Sequence, residues 1–147
     1  MKALVINGPN LNLLGTREPE IYGYETLDSI AAQCRGIATQ LEFELVFLQS
    51  NHEGQIVDWI HEAIGSADAI IINAGAYTHT SIAIHDALKA YNGLKIELHI
   101  SNPHLREPFR HVSYIAPAVD AVVAGLGVKG YPYVVELLGE LLNARSG

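Results

Sequence analysis

The segment Gly15-Thr16-Arg17-Glu18-Pro19-Glu20-Ile21-Tyr22-Gly23 places a phenol and a guanidinium on one glycine-bounded loop. That pairing suits proton abstraction from carbon by tyrosine. A free phenol ionises near pH ~10, so holding it anionic at neutral pH takes about 4 kcal/mol. One guanidinium at contact distance, with the effective dielectric of a protein surface, supplies about 4 kcal/mol before desolvation. The magnitudes match. The same residues also describe a solvated loop in which Arg17 pairs with Glu18 or Glu20 and Tyr22 packs, and the loop taken alone favours that plainer reading.

Glu97 and His99 stand two apart in Ile96-Glu97-Leu98-His99-Ile100, so on a strand both side chains face one way while the three apolar residues face the other. A carboxylate beneath an imidazole can hold one ring nitrogen, fix the tautomer and leave the other as a general acid. From spacing alone, a buried ion pair or a satisfied core histidine fits equally well. Immediately downstream, Pro103 forces Asn102 out of helical backbone, which leaves the N–H groups of Ile100 and Ser101, with the Ser101 hydroxyl, able to receive a carboxylate. An ordinary turn is the plainer outcome for Ser-Asn-Pro. Arg106 and Arg110 are four apart and share a face if residues 105 to 111 are helical. One would then bind ligand while the other pairs with Glu107 or a neighbouring subunit, although surface ion pairs account for both. Asn73-Ala74-Gly75-Ala76-Tyr77-Thr78-His79-Thr80-Ser81 offers amide, imidazole and hydroxyls to a polyhydroxylated ligand. Equally, Asn73 can bridge loops, and Thr78 or Thr80 can cap a helix.

These groups need a scaffold, and the apolar runs describe one. Residues 3–6, 43–48, 69–72, 96–100 and 121–124 read as strands, several of them apolar throughout, as parallel strands covered on both faces are. Between them, residues 26–41, 52–65, 80–91 and 131–142 have helical apolar spacing, for example Ile56, Trp59, Ile60, Ala63 and Ile64. Thr26 and either Ser50 or Asn51 suit N-caps, and Gly65 and Gly93 suit helix ends. The expectation is one α/β domain over residues 1–147, a flavodoxin-like three-layer sandwich with a five-stranded parallel sheet in the order 2-1-3-4-5. Such sheets bind ligands outside the carboxyl ends of their strands, and there the Asn, His and Arg residues gather. Gly125-Leu126-Gly127-Val128-Lys129-Gly130 resembles a dinucleotide fingerprint only weakly, because it follows the last strand with no second half behind it.

Composition narrows the partners. The chain has 147 residues, is 49% hydrophobic and carries a net charge of -7, which argues against nucleic acid or an anionic membrane as partner. No apolar run approaches membrane-spanning length, and residues 1–6 reach Asn7-Gly8-Pro9 too soon for a signal peptide, so a soluble, cytoplasmic protein is expected. Cys34 is the single cysteine, expected to pack. The histidines lack HExxH spacing, which disfavours a metal.

Four motifs in order, residues 7–19 (Asn-Gly-Pro-Asn-Leu-Asn-Leu-Leu-Gly-Thr-Arg-Glu-Pro), 49–54 (Gln-Ser-Asn-His-Glu-Gly), 73–81 and 97–102, closely resemble the type II 3-dehydroquinate dehydratases across nearly the whole chain. Together they reverse the plainer reading of the Arg17–Tyr22 loop. The resemblance implies reversible dehydration of 3-dehydroquinate to 3-dehydroshikimate, in the shikimate route or in quinate breakdown, without metal or organic cofactor. It also implies a dodecamer built from trimers. Residue by residue, it implies that Tyr22, ionised beside Arg17, is the base, that Asn10 stabilises the enolate, and that His99, oriented by Glu97, protonates the leaving hydroxyl. The substrate carboxylate would meet Ile100 and Ser101, and the ring hydroxyls Asn73, His79 and Arg110. Asp86 would act across a subunit boundary, and Gly15 and Gly23 would hinge a lid. Pro103 departs from the β-branched residue common in the family. Lys2, Lys89, Lys95 and Lys129 lie off the motifs, which argues against the imine chemistry of the type I enzymes. Two rivals remain at this level: a non-catalytic flavodoxin-like module that binds a small anion or nucleotide, and a metal-dependent hydrolase using His79, Glu97 and His99.

Overall fold

Five parallel strands form the middle layer: β1 (Lys2–Asn7), β2 (Glu44–Gln49), β3 (Ala69–Asn73), β4 (Leu94–His99) and β5 (Ala121–Ala124). Their spatial order is β2-β1-β3-β4-β5, as the sequence predicts. The structure is a computed structural model that describes residues 1–16, 19–22 and 24–146, the side chains of Ile21 and Tyr22 excepted. The helices are α1 (Pro19–Tyr22), α2 (Leu27–Gln40), α3 (Glu53–Ala63), α4 (Ile82–Ala90) and α5 (Gly130–Ser146). The single turn α1 falls in the segment expected to be loop.

Period-two alternation divides the core. Ala3 and Val5 of β1, Ala69 and Ile71 of β3, and Leu94, Ile96 and Leu98 of β4 pack with Ile30, Cys34 and Ala38 of α2 and Val134, Val135 and Leu138 of α5. Leu4, Ile6, Ile70 and Ile72 point oppositely, onto Ile56 and Ile60 of α3 and Ile84 and Leu88 of α4. Each fully buried Ile or Leu contributes about 1.5–3 kcal/mol, so both helical layers are held by their apolar faces. Cys34 belongs to this packing, and burial pushes its thiol up to about 12. Because Ile96 and Leu98 take the α2/α5 face, Glu97 and His99 emerge on the other.

The ends of the helices differ in part from expectation. Thr26 caps α2, its hydroxyl accepting from Ser29 N–H at 3.1 Å. At α3, however, His52 holds the cap position without a side-chain bond. Ser50 instead accepts from the His52 N–H through its hydroxyl, and Asn51 Oδ1 accepts from the Asn10 N–H. Ser81, rather than Thr78 or Thr80, caps α4 by accepting from Ile84 N–H. Gly65 ends α3 in the left-handed region, whereas Gly93 serves close approach: a Cβ there would run into the Tyr91 ring and the Asp68 carbonyl.

Candidate active site

At the carboxyl edge of the sheet, the register aligns Asn7 with Gln49 on one side and Asn73 on the other. All three side chains brace this edge. Asn7 Nδ2 donates to the Leu48 carbonyl, Gln49 Nε2 donates to the Gly8 carbonyl at 3.1 Å, and Asn73 Oδ1 accepts from Gly75 N–H at 3.2 Å. Tyr131, buried on α5, donates its hydroxyl to Asn7 Oδ1 at 2.7 Å and accepts from Asn73 Nδ2 at 2.9 Å. Burial raises the Tyr131 phenol far above its ordinary value, so it remains a donor. Gly8 passes so near the Ala74 carbonyl that any side chain would collide with it, which presses the loops after β1 and β3 together.

Between these loops and the segment after β4 lies a cavity lined by Asn10, Asn73, His79, His99, Ile100, Ser101, Arg106 and Arg110, with Pro9 and leucines 11, 13 and 14 as apolar wall. Asn10 adopts φ 70°, a left-handed conformation that asparagine tolerates better than most residues. The Asn51 side chain steadies it by accepting from its N–H at 3.0 Å. His79 Nδ1 lies 2.8 Å from the Val112 carbonyl, which can only accept, so Nδ1 carries a hydrogen and Nε2 is the second ring nitrogen.

Glu97 is 0% exposed, and its Oε2 lies 2.8 Å from His99 Nε2. The two-residue strand spacing thus produces the predicted contact and leaves His99 Nδ1 as the second ring nitrogen. Thr78 Oγ1 at 3.2 Å and Ser113 Oγ at 2.9 Å also donate to Glu97 Oε2. Neither hydroxyl was assigned this task from sequence. Thr78 reads as a capping residue, and Ser113 sits in a stretch without periodicity, so no local signal marks either.

Arg106 and Arg110 both reach the cavity, but not from one helix. Two separate 3-10 turns, Pro103–Leu105 and Pro108–Arg110, flank an extended Arg106, because prolines at 103 and 108 interrupt continuous helix. Arg110 Nε donates to Glu107 Oε2 at 2.6 Å, and Arg106 Nη1 lies 3.4 Å from Ser101 Oγ. Glu107's own backbone N–H and the Arg110 guanidinium hold its carboxyl below the ordinary value. Asn102 is extended, as expected before proline, and its side chain accepts from His104 N–H. Asp86 is exposed on α4 and does not line the cavity. Lys95, among the lysines set aside from sequence, donates to the Leu88 and Tyr91 carbonyls at the end of α4. Arg17, Gly23 and the Tyr22 side chain lie outside the described residues. Gly15, the other glycine assigned to a hinge, has φ 89°.

Sheet order and a polar cavity over the carboxyl edge define a flavodoxin-like α/β protein with a ligand site at the ends of its strands. The chain belongs to the class II dehydroquinase family, whose model, Dehydroquinase class II, matches residues 1–139. It is 54% identical over 142 residues to 3-dehydroquinate dehydratase 2 of Agrobacterium fabrum, covering 97% of each chain. It is 59% identical over 133 residues to the catabolic 3-dehydroquinase of Emericella nidulans, covering 90% of this chain and 87% of that one. Among solved structures, the type II dehydroquinase of Butyrivibrio crossotus superposes with a TM-score of 0.91 at 47% identity, over 94% of this chain and 97% of that chain.

Proposed function

We propose that this dehydroquinase converts 3-dehydroquinate to 3-dehydroshikimate in two proton transfers separated by an enolate. Tyr22, as a phenolate beside Arg17, removes a proton from the carbon next to the ketone, and the C–H electron pair moves to form the enolate. Asn10 stabilises the enolate oxygen. The enolate then re-forms the ketone and expels the tertiary hydroxyl, whose oxygen takes the carbon–oxygen pair and a proton from His99 Nδ1, leaving as water. The substrate carboxylate binds Ile100 and Ser101, while Asn73, His79 and Arg110 hold the ring hydroxyls. Asp86, exposed on α4, acts on a neighbouring subunit's substrate, which accords with its position off the cavity of its own chain. No metal or organic cofactor takes part in this route.

The observation that carries the reading is the 2.8 Å contact between the buried Glu97 carboxylate and His99 Nε2 in the wall of a cavity that also holds two arginines. A carboxylate that secures one ring nitrogen leaves the imidazole able to give a proton from the other. We extend the same reading to the whole chain as one catalytic domain, working in the cytoplasm as a homododecamer, a tetramer of trimers. No helix among the described residues is long and apolar enough to cross a membrane. The test is direct: the product is a conjugated enone that absorbs in the near ultraviolet, so mixing the protein with 3-dehydroquinate gives a rising signal. A flat trace from wild-type protein, or a full rate from His99→Asn, would overturn the mechanism.

A further inference from the structure

We propose that Ser113 is a positioning residue for the general acid: its hydroxyl keeps Glu97 anionic and so holds a second proton on His99 Nε2. A serine hydroxyl has one hydrogen to give and two lone pairs to receive. Here both lone pairs are occupied, since Ser113 Oγ accepts from Ile115 N–H at 3.1 Å and from Ala116 N–H at 2.9 Å. The hydrogen therefore has one direction left, towards Glu97 Oε2 at 2.9 Å and Oε1 at 3.3 Å. Unlike a freely rotating hydroxyl, this one is committed as a donor to the carboxylate. Thr78 Oγ1 adds a longer bond to the same oxygen.

The surroundings hold Ser113 in place from outside. His79 Nδ1 donates to the Val112 carbonyl, Tyr114 N–H donates to the Thr78 carbonyl at 2.8 Å, and His85 Nδ1 donates to the Tyr114 carbonyl at 2.6 Å. Residues 112–114 are thus laced to the loop after β3 and to α4, directly over Glu97. The consequence follows from where a proton can sit. A carboxylate with no exposed surface is costly as an anion unless donors compensate it. With Ser113 donating, Glu97 stays charged and His99 keeps hydrogen on Nε2, so a fully protonated ring is an imidazolium and a competent acid. Without that donor, the Nε2 proton moves to Glu97 and leaves a neutral imidazole, a far poorer acid, at the same total proton count.

This inference rests on His99 as the acid, and its test separates the two ideas. In 15N solid-state NMR of histidine-labelled resting enzyme, with His99 assigned from the His99→Asn variant, wild-type His99 should show a protonated Nε2. Ser113→Ala should shift that nitrogen to an unprotonated, accepting state and lower kcat about 10- to 100-fold, the scale of one hydrogen bond to a charged group. KM should stay within about twofold, and Ser113→Thr should restore both signals. An unchanged Nε2 resonance in folded Ser113→Ala overturns the inference, even if melting temperature falls, because loss of the loop contacts alone accounts for the latter. Where Ser113→Ala fails to fold, Ser113→Cys keeps an acceptor for the Ile115 and Ala116 N–H groups while offering Glu97 only a weak S–H donor. A smaller shift in the same direction supports the inference, and none overturns it. Wild-type turnover in His99→Asn would remove the acid assignment while leaving the resting-state nitrogen result intact.

Discussion

Tyr131 Oη and Asn7 Oδ1, separated by 124 positions in the chain, share a buried 2.7 Å hydrogen bond beneath the cavity. The same hydroxyl accepts from Asn73, so a single phenol on α5 joins the ends of β1 and β3, from which both loop walls of the site depart. Burial leaves Asn7 no water to replace it.

Tyr131→Phe should therefore cost about 1–3 kcal/mol of stability, because an acceptor and a donor are left unpaired in the interior. Urea denaturation of the two proteins measures this. Turnover should fall as well, since the loops carrying Asn10 and His79 lose their common anchor; a stability change below about 0.5 kcal/mol would show that the network is not holding the loops.

Tyr22→Phe and Arg17→Ala should each lower turnover by about two orders of magnitude or more, with fold and assembly kept. The first removes the proton acceptor and the second the charge that keeps it ionised. Near-wild-type rates in either variant, read from the appearance of the enone, would eliminate the proposed base or its activator.

Glu97→Gln replaces an anion with a neutral amide of the same shape. Turnover should drop about 10²- to 10⁴-fold, because the amide no longer holds His99 as an ion pair. Substrate affinity should change little, as the Glu97 carboxylate is buried and bonded to His99, Thr78 and Ser113. Comparing kcat with KM distinguishes this from a loss of binding.

EDTA should leave the rate unchanged, since every proposed proton acceptor and donor is a side chain. Activity lost to the chelator and restored by zinc would revive the metal reading.

Alkaline conditions should weaken the fold. Cys34 is raised from 9.0 to about 12 by burial, and Tyr131 is raised too. Above about pH 9 the unfolded chain releases the Cys34 proton that the folded chain retains, so the contribution of this thiol is constant below that value and is lost as pH rises towards 12. Urea midpoints measured across that range check the sign. Cys34→Ala should flatten the first part of the decline.

Much of this architecture is legible in local pattern. Apolar runs such as Ala69-Ile70-Ile71-Ile72 announce two-faced parallel strands, and their alternation with amphipathic helices makes the observed sheet order an expected one. Glu97 and His99 could be paired on paper, because a strand repeats every two residues and that geometry is independent of the rest of the chain. The proline signals at 103 and 108 were also present, though their consequence for the Arg106–Arg110 spacing emerged only with the backbone.

What the chain could not announce is contact between distant segments. Ser113 acquires its meaning from Glu97, 16 positions earlier, and from two N–H groups that occupy its lone pairs. Asn51 meets Asn10 across 41 positions, and Tyr131 meets Asn7 across 124. Local periodicity reflects steric and hydrophobic preferences that neighbouring residues satisfy among themselves. Hydrogen-bond direction in a buried cluster depends on which donors and acceptors the closed fold brings together, and only the tertiary structure decides that.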